Sequence, residues 1–331
     1  MTTTRARRDI LQQPPPTMIR HPNGPFLLFA CLALFITSGS ARASAQDPSF
    51  DVLIRNGRVL DGSGNPWFAA DIGISGDRIV AVGDLAGAQA ARVINAAGLY
   101  VAPGFMDTHS HAAGGLADAE LSAATPLLAQ GITTVFVNPD GGGAVDLGEQ
   151  RRALLEHGIG VNVAQFVPHG SVRREVVGMA DREATPEELE RMRAMVRAAM
   201  EAGAFGLSSG LFYTPGRFAP LEEVIALARV VGEYGGAYQS HIRDEADYGI
   251  GVVAAVDEVI RVAREAGVPG VVTHIKVLGP HVWGYSAALV HRIDEARAAG
   301  VEVYADQYPY EASATGLEPA LVPAWAREGG D

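Results

Sequence analysis

From residue 99 onward, short apolar runs alternate with amphipathic helical stretches. This rhythm predicts an α/β fold, a (β/α)8-type TIM barrel with seven strands present and the eighth missing. Ahead of it, short alternating runs broken by Gly/Asp turns predict a small N-terminal β-sandwich domain. A third observation favours the barrel: histidines recur at the ends of the strand-like runs, where a parallel barrel gathers its functional groups. The chain thus divides into a signal peptide at 1–45, a small β domain at 46–98 and an incomplete barrel at 99–331.

The leader comes first. Arg5, Arg7, Arg8 and Arg20 precede an apolar run at 26–36, and Ala43-Ser44-Ala45 follows. Basic, apolar, then small-x-small is the layout of a secretory signal peptide, cut here after Ala45. It predicts a periplasmic or secreted protein. Translation from Met18 would leave a conventional leader, and Arg7-Arg8 resembles a twin-arginine signal; the export route stays open. The apolar run is too short for a hydrocarbon core of about 30 Å, so no membrane association is expected after cleavage.

Cys31 is the only cysteine and lies in this leader. The body therefore has no disulfide, and a metal site in it must use His and carboxylate. Net charge is −12; the first 45 residues hold five Arg and one Asp, which leaves −16 on the remainder. So acidic a body disfavours nucleic acid and anionic lipid as partners and leaves a small molecule.

Within 46–98 the candidate strands are 51–60, 70–74, 78–82 and 92–95, with turns at Asp61-Gly62-Ser63-Gly64 and Ser75-Gly76-Asp77. The barrel strands are expected at 99–106, 133–137, 160–167, 204–207, 237–239, 271–273 and 301–305. Helices lie between them. Thr185-Pro186-Glu187-Glu188 supplies an N-cap, a proline at the first helical position and a capping-box Glu. Leu189, Met192, Val196 and Ala199 mark the buried stripe of that helix and Gly203 ends it. Helices at 222–234, 252–266 and 286–299 repeat the design, each before a glycine.

Five of the nine histidines fall at the strand ends. His109 and His111 follow the first strand in Gly104-Phe-Met-Asp-Thr-His-Ser-His111, two apart and so on one side of an extended chain. His169 follows the third strand, His241 the fifth and His274 the sixth. Alone, His-x-His reads equally as a pair of core histidines; with His241 and His274 on the same rim it reads as a metal site. Imidazole suits zinc, and zinc with open positions suits hydrolysis. His157 and His291 read as solvated, and His281, beside Trp283, as a candidate pocket residue.

Several segments resemble the amidohydrolase superfamily, and within it the N-acyl-D-amino-acid deacylases. Val101-Ala-Pro-Gly-Phe-Met-Asp-Thr-His-Ser-His111 looks like the usual opening, and the order of His241 and His274 matches the metal ligands of the superfamily. Gly206-Leu-Ser-Ser-Gly-Leu-Phe-Tyr213, Ser240-His-Ile-Arg-Asp-Glu245, Thr273-His-Ile-Lys276 and Tyr308-Pro-Tyr-Glu-Ala-Ser313 resemble the deacylase branch. The resemblance implies one or two zinc ions on His109, His111, His241 and His274. It also implies hydrolysis of an N-acyl-D-amino acid to a carboxylate and a D-amino acid by a zinc-activated water.

Three departures stand out. Asn138-Pro139-Asp140-Gly141 occupies a turn where the family often has a ligating Cys, so Asp140 is either a ligand or a turn residue. Strand four ends in Ser208-Ser209, without the carbamylated Lys of other branches. The catalytic Asp of the superfamily is expected on strand eight, beyond Asp331.

Lys276 is expected by resemblance to pair with the substrate carboxylate, helped by Tyr308, with His169 a further substrate contact; a solvated rim cation is the plain alternative for Lys276. Arg243, Asp244 and Glu245 would orient ligands or pair among themselves. Rival activities are those of a dipeptidase, a hydantoinase or a dihydroorotase, and a rival of another class is a periplasmic binding protein without catalysis.

Overall fold

The computed structural model describes residues 49–329. The leader at 1–45, with Met18, Cys31 and the cleavage position, lies outside the described residues. Two compact units divide the chain.

The first unit takes in Asp71–Ile94 together with the described residues up to Arg55. Strands β1 (Ser49–Val59), β2 (Phe68–Ser75), β3 (Arg78–Gly83), β4 (Gln89–Asn95) and β5 (Tyr100–Val101) form one sheet, ordered β3-β2-β1-β4 with β5 on β1. β2 and β3 make an antiparallel hairpin whose Gly76 has φ +59°, and the Asp51 carboxylate accepts the Gly76 N–H at 2.6 Å. The small core is Phe50, Leu53 and Ala88, and the Phe50 ring leaves no room for a side chain at Gly73.

The second unit takes in Asn56–Ala70 and the chain from Asn95 on. Its strands are β6 (Phe105–Asp107), β7 (Ile132–Val137), β8 (Asn162–Pro168), β9 (Gly206–Gly210), β10 (Ala237–His241), β11 (Gly270–Val272) and β12 (Val303–Ala305). They pair in sequence order, every pair parallel, in one mixed α/β layer system. The sheet is curled: the rings of His109 after β6 and His274 after β11 lie 5.0 Å apart although four strands separate theirs.

One expected strand is corrected. The run 99–106 is two strands in two sheets: Tyr100–Val101 pairs with β1 and Phe105–Asp107 with β7. Pro103 has no N–H to give a ladder. Gly104 passes so close to Thr133 that an added Cβ would lie 2.0 Å from its hydroxyl oxygen.

The connecting helices are α1 (Ala113–Leu116), α2 (Thr125–Leu128), α3 (Leu147–Leu155), α4 (His169–Val176), α5 (Pro186–Glu201), α6 (Leu221–Glu233), α7 (Val252–Ala266), α8 (Ser286–Ala298) and α9 (Leu317–Leu321). The capping box of α5 forms as its sequence dictates, Thr185 Oγ1 accepting from Glu188 N and Glu188 from Thr185 N. Met192, Val196 and Ala199 are buried as that periodicity requires. Between sheet and helices, Val167, Leu207, Tyr238 and Val272 pack with Leu227, Val256, Val259 and Leu289. Each such side chain contributes about 1.5–3 kcal/mol by leaving water. Among the described residues no helix is long and apolar enough to cross a membrane.

Candidate metal centre

The C-terminal ends of the parallel strands converge on a cavity of about 700 Å3. Asp140 lines it, in the turn after β7, with four imidazoles around it. Its Oδ2 is 3.4 Å from His109 Nε2 and 3.2 Å from His111 Nε2. Its Oδ1 is 3.5 Å from His274 Nε2 and 3.7 Å from His241 Nδ1. His109 and His111, just past the end of β6, thus meet one carboxylate oxygen, and Ser110 between them is buried.

The turn holding Asp140 is tightly determined. Asn138 and Asp140 both have positive φ, 62° and 54°. Such backbone persists in non-glycine residues only where the surroundings impose it. Here the fully buried Ser208 donates to the Asn138 carbonyl at 2.6 Å and accepts the Gly141 N–H at 3.2 Å. Asn138 in turn exchanges hydrogen bonds with Gln150.

The charges follow from the packing. Burial opposes ionisation of Asp140, but His109, His111 and His274 outweigh it and hold the carboxyl far below its usual range. Burial pushes His241 down to about 4, so it is neutral, the form that ligates metal. Burial also opposes charge on His274, yet Asp140 and Glu245 on its two sides push it up to about 9. Glu245 Oε1 lies 3.1 Å from His274 Nδ1 and 2.5 Å from Lys276 Nζ.

The donor set fits a metal. Two overlapping groups bring their ligand atoms within 4.8 Å of one another: His109, Asp140 and His274, and His241, Glu245 and His274. Both ring nitrogens of His109 and His241, and Asp140 Oδ1, are buried without a hydrogen-bond partner. Unsatisfied buried groups of this kind are costly, and His109 Nε2 and His241 Nδ1 both lie beside Asp140.

The model of the amidohydrolase family matches residues 92–320. The chain belongs to the amidohydrolase family. It is 41% identical to an N-acyl-D-glutamate deacylase of Alcaligenes xylosoxydans xylosoxydans over 81% of this chain and 59% of that protein. It is 38% identical to a D-aminoacylase of the same organism, over 83% of this chain and 60% of that one. The crystal structure of an N-acyl-D-glutamate deacylase from Bordetella bronchiseptica, complexed with zinc and a phosphonate inhibitor, superposes with a TM-score of 0.72 at 37% identity, over 80% of this chain and 59% of that one. The chain thus spans about 60% of the length of these relatives.

In this amidohydrolase the remaining predicted residues divide. Lys276 and Tyr308 line the cavity, the ammonium 5.7 Å from the Tyr308 ring. His169 lies outside that lining, at the start of α4, fully buried with Nε2 2.9 Å from Glu223. Arg173 pairs with the same carboxylate and reaches the Arg182 carbonyl at 2.5 Å. Arg243 binds Glu258 and the carbonyls of Arg217 and Ala219, so it fastens the segment after Phe212 and Tyr213, whose rings pack on His241. Asp244 accepts three backbone N–H groups of its own loop. His157 and His291 are exposed, the latter beside Glu295. His281 is also exposed; its neighbour Trp283 lines a smaller pocket of about 390 Å3.

Sequence reading missed Asp306, one residue past β12 and in the cavity wall. The rule that picks out the histidines, proximity to a strand end, also picks it out, but a search for imidazoles passes over it.

Proposed function

We propose that this amidohydrolase hydrolyses the amide bond of N-acyl-D-amino acids to a carboxylate and a D-amino acid. The observation that carries the reading is Asp140 with its two oxygens shared between four imidazoles, of which those of His109 and His241 are buried with both ring nitrogens unpartnered. The names of the relatives supply the substrate class, and the zinc of the Bordetella structure supplies the metal.

His109, His111, Asp140, His241 and His274 would hold one or two zinc ions. Zinc at such a site supplies an acidified water as nucleophile and a Lewis acid for the carbonyl. Glu245 fixes the orientation of His274 from behind. Lys276 and Tyr308 face the same cavity and would receive the carboxylate of the amino acid. The walls formed by Phe212 and Tyr213 screen His241 from water.

The same reading extends to architecture and location. The seven parallel strands would be the first seven of a (β/α)8 barrel, and the five-stranded sheet part of a β-sandwich, divided near residue 98. The protein would act in the periplasm or outside the cell after loss of residues 1–45, on a small molecule.

The test is amine release from paired N-acetyl-D- and N-acetyl-L-amino acids, with and without zinc. It is run on the 331-residue chain and on the reading frame extended past Asp331. Zinc-dependent turnover of the D series alone is expected. Protein that holds zinc and turns over neither series would overturn the reading and point to dipeptides, cyclic amides or a binding role.

A further inference from the structure

β11 and β12 run parallel in register, with Val272 opposite Ala305. The ladder continues one step beyond, as Asp306 N donates to the Val272 carbonyl at 3.2 Å. In an evenly spaced parallel ladder the Asp306 carbonyl would next receive the N–H of His274, two residues past Val272. It receives instead the N–H of Ile275, at 2.9 Å. One extra residue has entered the β11 side, which is the signature of a bulge. His274 accommodates it with φ +37°, left-handed for a residue with a side chain.

The bulge does two things. It turns the imidazole of His274 so that Nε2 faces Asp140, and it takes the His274 N–H out of the ladder. That N–H is not left orphaned. Asp306 Oδ1 accepts it at 2.5 Å. One residue thus contributes its N–H to Val272, its carbonyl to Ile275 and its carboxylate to His274. The other carboxylate oxygen, Oδ2, is buried without a partner.

We propose that Asp306 is a positioning residue, which holds the backbone of His274 in the bulged conformation that presents its imidazole to the metal. The inference rests on the reading of His274 as a ligand. Asp306 acts through the backbone, so what it must supply is a hydrogen-bond acceptor at Oδ1, and the negative charge is dispensable.

The test is titration of the wild-type chain, Asp306→Asn and Asp306→Ala with Co2+, following visible absorption and binding heat, with thermal unfolding before metal addition as the folding control. If the wild-type chain takes up no Co2+, the metal reading itself fails, whatever the variants do. Given wild-type binding, Asp306→Asn should keep affinity within about threefold and an unchanged band shape. Asp306→Ala should lose about 10–100-fold, the range for residues that orient ligands, and change the band. Wild-type binding by Asp306→Ala would overturn the proposal. So would an Asp306→Asn as weak as Asp306→Ala, because that result would place the negative charge itself, at Oδ2, among the ligands. Should Asp306→Ala not fold, Asp306→Asn alone decides: affinity within about threefold of the wild type supports the proposal, and a loss of about tenfold or more overturns it.

Discussion

Glu245 and His274 face each other at 3.1 Å, carboxylate Oε1 to imidazole Nδ1, on the side of the ring turned away from Asp140. A carboxylate behind a ligating imidazole fixes both its tautomer and its orientation. Glu245→Gln keeps the size and loses the negative charge beside His274 Nδ1 and Lys276 Nζ. It should weaken zinc about 10–100-fold, and a chelator competition titration reads this directly. Unchanged affinity would mean that Glu245 serves only to neutralise Lys276.

Ser208 should matter to stability and to the metal at once. Its hydroxyl satisfies two buried backbone groups that flank Asp140, the Asn138 carbonyl and the Gly141 N–H. Ser208→Ala leaves both unpaired, at a cost of about 1–3 kcal/mol. Urea unfolding should show that loss, and the same variant should bind zinc more weakly, because the left-handed turn relaxes. A variant that unfolds earlier yet binds zinc as before would separate the turn from the site.

What the sequence made legible here was whatever local chemistry determines. The start of α5 follows from Thr185, Pro186 and Glu188 because a capping box is satisfied within four residues. His109 and His111 follow directly on a parallel strand, where functional groups gather, and both reach the Asp140 Oδ2. The split of 99–106 was hidden because Leu99 to Met106 reads as one apolar run, and only Pro103 and Gly104 mark the change of sheet. The burial of His169 was hidden for another reason. Its partner Glu223 lies 54 residues away, and nothing local announces an ion pair across that distance. The Asp306–His274 bond is of the same kind, since a bulge is a property of two strands and not of either sequence.

The His169, Arg173 and Glu223 cluster gives a pH dependence. Burial opposes the charge of Glu223, but His169 and Arg173 outweigh it and hold its carboxyl below the ordinary range. A depressed folded value stabilises the fold above the unfolded value of about 4.3, and that gain is lost as pH falls through the folded value. Glu223→Gln leaves Arg173 buried without its counter-charge and should cost about 3 kcal/mol near pH 7. The gap from the wild-type chain should hold down to about pH 4.3 and close below it, in thermal melts run from pH 7 to pH 3. A gap independent of pH would mean that packing, and not the ion pair, sets the cost.

Asp140 decides between a ligand and a turn residue. Among the described residues it is the carboxylate that contacts all four rim imidazoles, and its two oxygens divide them in pairs. If it ligates, Asp140→Ala removes the anion that both pairs share, and zinc affinity should fall by at least about 100-fold. Asp140→Cys should recover binding, because a thiolate is as good a zinc ligand as a carboxylate. The recovered site should also be softer. Relative loading of Mn2+ against Zn2+, read by native mass spectrometry, should drop in the Cys variant, since manganese prefers oxygen donors and zinc accepts sulfur. If Asp140 only shapes the turn, Asp140→Ala should keep its zinc, and the Cys variant should load both metals in the wild-type ratio. The two roles therefore differ in selectivity as well as affinity, and a variant destabilised in its fold could not mimic a shift in the metal ratio.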